Sequence, residues 1–406
     1  MDTAERIPYP STEGAECPFP FYDHIRSTTG VYQIPDRPDL YLVTRHADVQ
    51  FITDHPEIFS SVGRNVDSVL SEPAVLPNGI NIRTMIEADP PEHQIHRNYV
   101  RTPFLPSKVK AFEPMVRRIA NSLIDDFQDR GECDFVAEYA SLLPARLTLE
   151  MMGAPLSLME DLRKWGQIEA SGAPFLPRER YEHHLSVARS MQEKVTDLLR
   201  MTVEQPGEGL LTEMIRKQTE RDGEYSEAYV KGQAAILLAG GVTTTAHMLG
   251  STMLLLLDHP DLFSRIIADR SLIKPLIEES LRLESPVQWV GRRVVHDVEL
   301  AGIYIPAGSH VLCGWGAGNR DPEMFADPGE FRLDRENAHK HLAFGHGAHF
   351  CLGAAFARME ATVALEAVFD RLTNLQLVPG ANVRHIDSPS FRGLQSLPIT
   401  FERILL

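Results

Sequence analysis

Apolar residues along this chain recur mostly at helical spacing. Across residues 108–128 they fall at Val109, Phe112, Met115, Val116, Ile119, Ala120 and Leu123, one face of an amphipathic helix. Residues 186–201 repeat the pattern. Residues 226–258 predict a far longer helix, about 50 Å at 1.5 Å per residue. Gly240-Gly241 and the threonines that follow interrupt its middle, against local propensity. Helices interrupted this way often bend at a functional site. Strand-like patterns are confined to residues 40–44, 294–305, 310–312 and 396–401. The Pro-rich stretches 34–38 and 71–77 read as loops. The fold class expected is mainly α with small β-sheets. No repeat, low-complexity linker or charge block marks a boundary, so residues 1–406 read as one domain.

Charge narrows the partners. Lys and Arg total 40 against 56 Asp and Glu, a net charge of −16, which argues against nucleic acid. Residues 1–10 are charged and contain prolines, with no apolar core of a signal peptide. The apolar runs 234–242 and 253–257 are too short to span a bilayer. The expectation is a soluble cytoplasmic protein with no membrane partner. Cys17, Cys133, Cys313 and Cys351 are scattered, without a Cys-x-x-Cys pair or a disulfide framework.

One of them sits in unusual company. Phe344-Gly345-His346-Gly347-Ala348-His349-Phe350-Cys351-Leu352-Gly353 places a cysteine in a glycine-rich loop. The helix-like run from Gly353 to Glu360 follows at once. A helix N-terminus offers backbone N–H groups and the positive dipole end, and both lower a thiol pKa. The glycines let the backbone pass close to a large flat group. A stabilised thiolate beside a flat cofactor suits heme iron, where thiolate donation favours O–O cleavage.

The spacing Phe-x-x-Gly-x-His-x-Cys-x-Gly resembles the heme-binding loop of the cytochrome P-450 family, and motifs similar to the family's run from residue 89 to residue 353. The resemblance implies a helical triangular prism and heme b, with Cys351 as the metal ligand and Phe344 and Gly353 flanking it. Glu279-Ser280-Leu281-Arg282 matches the family's Glu-x-x-Arg, whose i, i+3 spacing puts both side chains on one helix face. In relatives this structural pair binds a third group downstream. Here Glu330 stands where many carry an arginine, so Arg332 or Arg335 is expected instead.

Asp89-Pro90-Pro91-Glu92 reads as a helix start with a cap. His93 and Arg97 then share a face at i, i+4, and a shared anion would explain two cations together. In relatives the equivalent pair holds a heme propionate. Arg292 resembles the family's next propionate-binding arginine, and His349 is a fourth such group. Arg293 would face the other way on a strand. Ala239-Gly240-Gly241-Val242-Thr243-Thr244 resembles the family's oxygen-activating segment. Ala239 and Gly240 would lie over the cofactor, and Thr243 and Thr244 would relay protons. Val242 replaces the usual acid.

By position, Ile80, Ile82, Val242, Val287, Trp289, Val290 and Phe391 are expected at the substrate, with Arg64 or Arg83 available for a carboxylate. The activity implied is insertion of one oxygen atom from O2 into a small or mid-sized hydrophobic, even aromatic, substrate, by hydroxylation or oxidative dealkylation. No dinucleotide fingerprint is present. NAD(P)H electrons would therefore arrive through ferredoxin reductase and ferredoxin, on a patch of Arg97, Arg101, Arg335, His339, Lys340 and His341. The protein is expected to be a monomer. Two rivals stand beside this reading: a hydrogen peroxide-driven peroxygenase, which Val242 allows, and a non-catalytic heme-thiolate sensor or electron carrier.

Overall fold

The apolar stretch at residues 226–258 folds as one unbroken helix, Glu227–Leu257, and the rest of the molecule is arranged around it. The computed structural model describes residues 12–63, 74–75, 81–169 and 178–404. Ser226 caps this helix, its hydroxyl accepting from the Tyr229 N–H at 3.3 Å. The expected interruption at Gly240-Gly241 does not occur. Gly241 serves packing instead, since a Cβ there would lie 3.1 Å from the Thr148 hydroxyl on helix Leu142–Met152. The long helix also packs against Met159–Glu169, Arg178–Glu204, Ile273–Leu283 and Ala354–Arg371. As a whole it is long and apolar enough to cross a membrane, although its separate apolar runs are not; half of its most apolar window is buried. Leu238, Val242, Leu249, Met253 and Leu256 anchor it in the largest hydrophobic core.

The helix expected over 108–128 is divided. Pro106–Val109, a 3-10 turn Lys110–Phe112 and Glu113–Asp125 follow one another. Pro114 lacks an N–H to donate to the preceding turn, so it sits in the first turn of a new helix that begins at Glu113.

A five-stranded sheet flanks the helices in the order Val31–Ile34, Arg37–Val43, His310–Gly314, Trp289–Val294, Phe59–Ser60. His310–Gly314 runs parallel to Arg37–Val43, and the other neighbours are antiparallel. The single strand expected at 294–305 is instead the end of Trp289–Val294 followed by the hairpin Val298–Leu300 and Ile303–Ile305. Asp297 makes the break, its carboxylate accepting from the Ala307 N–H at 2.8 Å and the Tyr304 hydroxyl at 2.7 Å. A three-stranded sheet joins Leu372–Leu377, Pro398–Arg403 and Glu132–Asp134. All four cysteines are free thiols.

Candidate active site

Cys351 ends a tight loop between the sheet side of the molecule and helix Ala354–Arg371. Gly345 and Gly347 have φ of 72° and 70°, a region that favours glycine. A Cβ on Gly347 would also lie 2.8 Å from the Thr53 carbonyl. These turns let the Cys351 N–H donate to the Phe344 carbonyl at 2.7 Å. The Gly353 N–H supports the sulfur, and Arg97 and Arg358 act on it electrostatically. All three lower the thiol pKa, as the helix N-terminus predicts. Burial outweighs them, however, and the net direction in the protein alone is upward. A metal cation at Sγ would reverse that, because a coordinated thiol is deprotonated. Arg358 is fixed by a bidentate pair with Glu278 at 2.5 and 2.8 Å and covers the Phe344 ring at 4.5 Å.

Four side chains expected to act together do converge. His93 and Arg97 lie one turn apart on helix Glu92–Val100. The His93 and His349 rings are 4.1 Å apart. Burial, then Arg97, His96 and Arg292, pushes the His93 pKa down to about 4, against an upward pull from Asp89. Its Nδ1 is buried without a hydrogen-bond partner among the described residues. Arg292 is 3% exposed and donates only to the Gly291 carbonyl, at 2.8 Å, among the described residues. Neither Arg97 nor Arg292 forms an ion pair with a described residue. Asp89, the carboxylate that acts on His93 and Arg292, is committed elsewhere. It accepts from Ser60 Oγ at 2.5 Å and the Ser61 N–H at 2.7 Å rather than capping the helix, which starts from Pro91 without a side-chain cap. His349 Nε2 lies 3.0 Å from Ser61 Oγ. Buried cations without counter-charge are costly. This donor set fits a cofactor with two carboxylates, and the adjacent cysteine fits its metal, so heme suits the residues present.

The Glu279–Arg282 pair is wholly buried and bidentate, at 2.8 and 2.7 Å. Its third partner is Arg335, whose Nε donates to Glu279 Oε1 at 2.9 Å. Arg332 gives Glu279 only its backbone N–H, at 3.0 Å, while its side chain pairs with the exposed Asp327 and Asp334. Arg282 also donates to the Asn319 carbonyl at 3.0 Å, and Asn319 Oδ1 accepts the Leu342 N–H at 2.5 Å. Asn319, which no motif announced, thus joins this network to the cysteine loop.

Ala239, Gly240, Thr243 and Thr244 share the accessible face of the long helix. The Thr244 hydroxyl donates to the Gly240 carbonyl at 2.9 Å. Thr243 Oγ1 points at Gly166 of helix Met159–Glu169, where a Cβ would collide with it. Val242 is 3% exposed and packs in the core, off this face.

The pocket residues divide. Val287 bridges to Phe391 as an isolated β-pair, bringing those two together. Val290 and Arg292 alternate onto one face of their strand, opposite Cys313 and Val311. Trp289 takes the other face, buried with Tyr22, Leu42 and Leu312, and so does not join them. Ile80 and Arg64 lie outside the described residues; Ile82 is in a short strand, Asn81–Ile82, whose side chains are not described. Arg83 pairs with Glu92 at 3.5 Å and is not a spare cation. In the expected basic patch, Arg335 and His341 are 8% and 5% exposed and face inward, whereas Arg101, His339 and Lys340 are exposed.

Comparison with known proteins places this geometry. Residues 178–402 match the family model "Cytochrome P450". The chain is 33% identical over 371 residues to Cytochrome P450 107B1 of Saccharopolyspora erythraea, covering 89% of each chain. It is 33% identical over 393 residues to Cytochrome P450 monooxygenase PikC of Streptomyces venezuelae, covering 95% of this chain and 91% of that one. Its fold is similar to the solved structure of CYP109E1 from Bacillus megaterium in complex with testosterone, with a TM-score of 0.86 and 29% identity across 96% and 99% of the two chains.

Proposed function

Because this chain belongs to the cytochrome P450 family, we propose that it oxidises a small or mid-sized hydrophobic organic substrate with electrons from a ferredoxin. The chain is a heme b-binding oxidoreductase of the monooxygenase class. Substrate, electron route and site roles are the proposal. The observation that carries it is the cluster of His93, Arg97, Arg292 and His349 beside the Cys351 loop, in which His93 and Arg292 are buried and neither arginine forms an ion pair with a described residue.

Cys351 would ligate the iron, with Phe344 and Gly353 at its sides. The four basic residues would hold the two propionates. Ala239 and Gly240 would line the opposite face. When bound, thiolate-ligated heme supplies the activation of dioxygen. The protein supplies the rest. Arg97 and Arg292 neutralise charge that burial would otherwise make costly. Thr243 and Thr244 hold protons at Oγ1 on the accessible helix face, while Val242, packed in the core, holds none. Val287, Val290 and Phe391 offer apolar surface that orients a substrate and excludes water. One relative is a 6-deoxyerythronolide B hydroxylase and one neighbour binds testosterone, so mid-sized hydrophobic compounds are the first to try. Arg101, His339 and Lys340, each exposed, and Phe350, 41% exposed beside the cysteine, would offer the contacts for an acidic ferredoxin. The working form is a cytoplasmic monomer with one catalytic domain.

The test is reconstitution with a surrogate ferredoxin and its reductase, using the compound that most shifts the Soret band in a library screen. The expected result is compound-dependent NAD(P)H oxidation with one hydroxylated or dealkylated product. Faster product formation with hydrogen peroxide alone would establish the peroxygenase reading, which Val242 allows.

A further inference from the structure

His247 lies four residues after Thr243 and three after Thr244 on the long helix. Such spacings share a face, so the imidazole continues the line of hydroxyls. Part of it stays accessible on the face of Gly240, Thr243 and Thr244. Nε2 is buried, and neither it nor Nδ1 has a hydrogen-bond partner among the described residues. A neutral imidazole carries one donor and one acceptor, and buried polar atoms left unmet signal water or a ligand. Burial pushes the His247 pKa down to about 4, with His385 lowering it further, so the ring is neutral at pH 7. Gly393 makes the room for it, since a Cβ there would collide with the ring.

His385 leads outward. Its Nδ1 lies 3.0 Å from Glu16 Oε1, and its Nε2 lies 3.5 Å from Glu284 Oε2. Glu284 is tied to Arg392 at 2.5 Å and Arg320 at 3.5 Å, whereas the Glu16 side chain is 45% exposed. The Ile386 N–H donates at 2.9 Å to the carbonyl of Gly393, the residue against the His247 ring, so Glu16 and His385 lead from solvent to the neighbourhood of an imidazole whose Nε2 is buried and unpartnered among the described residues. The usual acid position, Val242, offers no proton.

We propose that His247 is a proton-relaying positioning residue, passing protons from Glu16 and His385 through ordered water to the Thr243 and Thr244 hydroxyls. This rests on the reading that the Thr243 face is where dioxygen is used. For a hydroxylation, one substrate RH, one O2, one NAD(P)H and one H+ give ROH, H2O and NAD(P)+. NAD(P)H is the two-electron reductant and O2 the oxidant. Two protons reach the oxygen, one of them the net H+ of the equation and the other released to solvent when NAD(P)H gives up its two electrons. At His247 one ring nitrogen accepts a proton as the other releases one, so the ring stays neutral and the reverse tautomer shift resets it.

The readout independent of turnover is the ring 15N spectrum of histidine-labelled holoenzyme in its diamagnetic reduced carbonyl form, with His247 assigned by His247→Leu. Thr243→Ala and His385→Ala should each shift the His247 ring nitrogens. In the reconstituted system, with the compound from the Soret screen, His247→Leu should raise the peroxide share of NAD(P)H consumption several-fold. Its carbonyl Soret band should match the wild type. His385→Ala, away from the core, should leak peroxide to a smaller extent and gives the same test if His247→Leu fails to fold. If Thr243→Ala leaks but His247→Leu and His385→Ala stay coupled, the relay is wrong and the site reading stands. Unmoved His247 resonances in Thr243→Ala also overturn it. If Thr243→Ala itself stays coupled, both the relay and the placement of dioxygen on this face fail.

Discussion

Arg335→Ala should weaken the protein far more than Arg332→Ala, though both arginines sit in one short segment. The Arg335 side chain is 4% exposed and makes four hydrogen bonds. One goes to Glu279 at 2.9 Å, and the others go to the carbonyls of Ala326, Asp327 and Glu330 at 2.5, 3.1 and 3.1 Å. Truncation leaves those acceptors buried and part of the Glu279 charge uncompensated. Removing one member of a buried ionic network costs about 3–5 kcal/mol. With unfolding entropy near 2.1 cal/mol/K per residue, a chain of this length loses about 4–6 °C in melting midpoint. The Arg332 side chain is 39% exposed and pairs only with exposed aspartates at 3.6 and 3.5 Å, interactions worth about 0–1 kcal/mol. Its backbone N–H, the atom that reaches Glu279, survives substitution. The assay is thermal unfolding of both variants, with heme content after gel filtration, because the network reaches the cysteine loop through Asn319. Equal shifts in the two variants, or a larger one for Arg332→Ala, would refute the assignment of Arg335 as third partner.

Two further outcomes are expected. In heme-free protein the folded pKa of His93 is about 4, below the ordinary value near 6.5, so the folded state binds fewer protons between those values. This contribution is constant above pH 6.5 and lost as pH falls toward 4; urea midpoints against pH should show that slope, and His93→Gln should flatten it, an unchanged slope counting against the burial account. Reduction by ferredoxin should slow as salt rises, with a Debye length of about 8 Å at physiological ionic strength, and Lys340→Glu should slow it further without changing substrate affinity. A rate indifferent to salt and to Lys340→Glu would remove that docking surface.

Spacing within single elements was legible. Glu279 with Arg282, His93 with Arg97, and the cysteine loop all depend on contacts a few residues apart, and each is present as the pattern predicts. What the chain alone left open depends on tertiary placement. Arg332 and Arg335 have the same chemistry, and only the path from Asp327 to Arg335 decides which guanidinium turns inward. The same network turns Arg335 inward, and His341 is buried beside Glu278, so neither stays in the surface patch where its charge had placed it. Trp289 could have been excluded from the pocket, because strand alternation puts it and Arg292 on opposite faces once Arg292 is taken to face the cofactor. Asp89 occupies a capping position in the sequence, but its carboxylate is drawn to Ser60 and Ser61, neighbours brought close by the sheet. His247 was invisible because its meaning comes from Gly393 and His385, more than 130 residues downstream.

The central claim is that Cys351 holds the heme iron as thiolate, and the reduced carbonyl spectrum tests it most directly. The wild type should show the strongly red-shifted Soret band of thiolate-ligated heme. Cys351→Ser should lose that band, while Cys313→Ser, which alters a wholly buried thiol of the five-stranded sheet, should keep it. A Cys351→Ser protein that keeps the band, or a Cys313→Ser protein that loses it while still folded, would contradict the account.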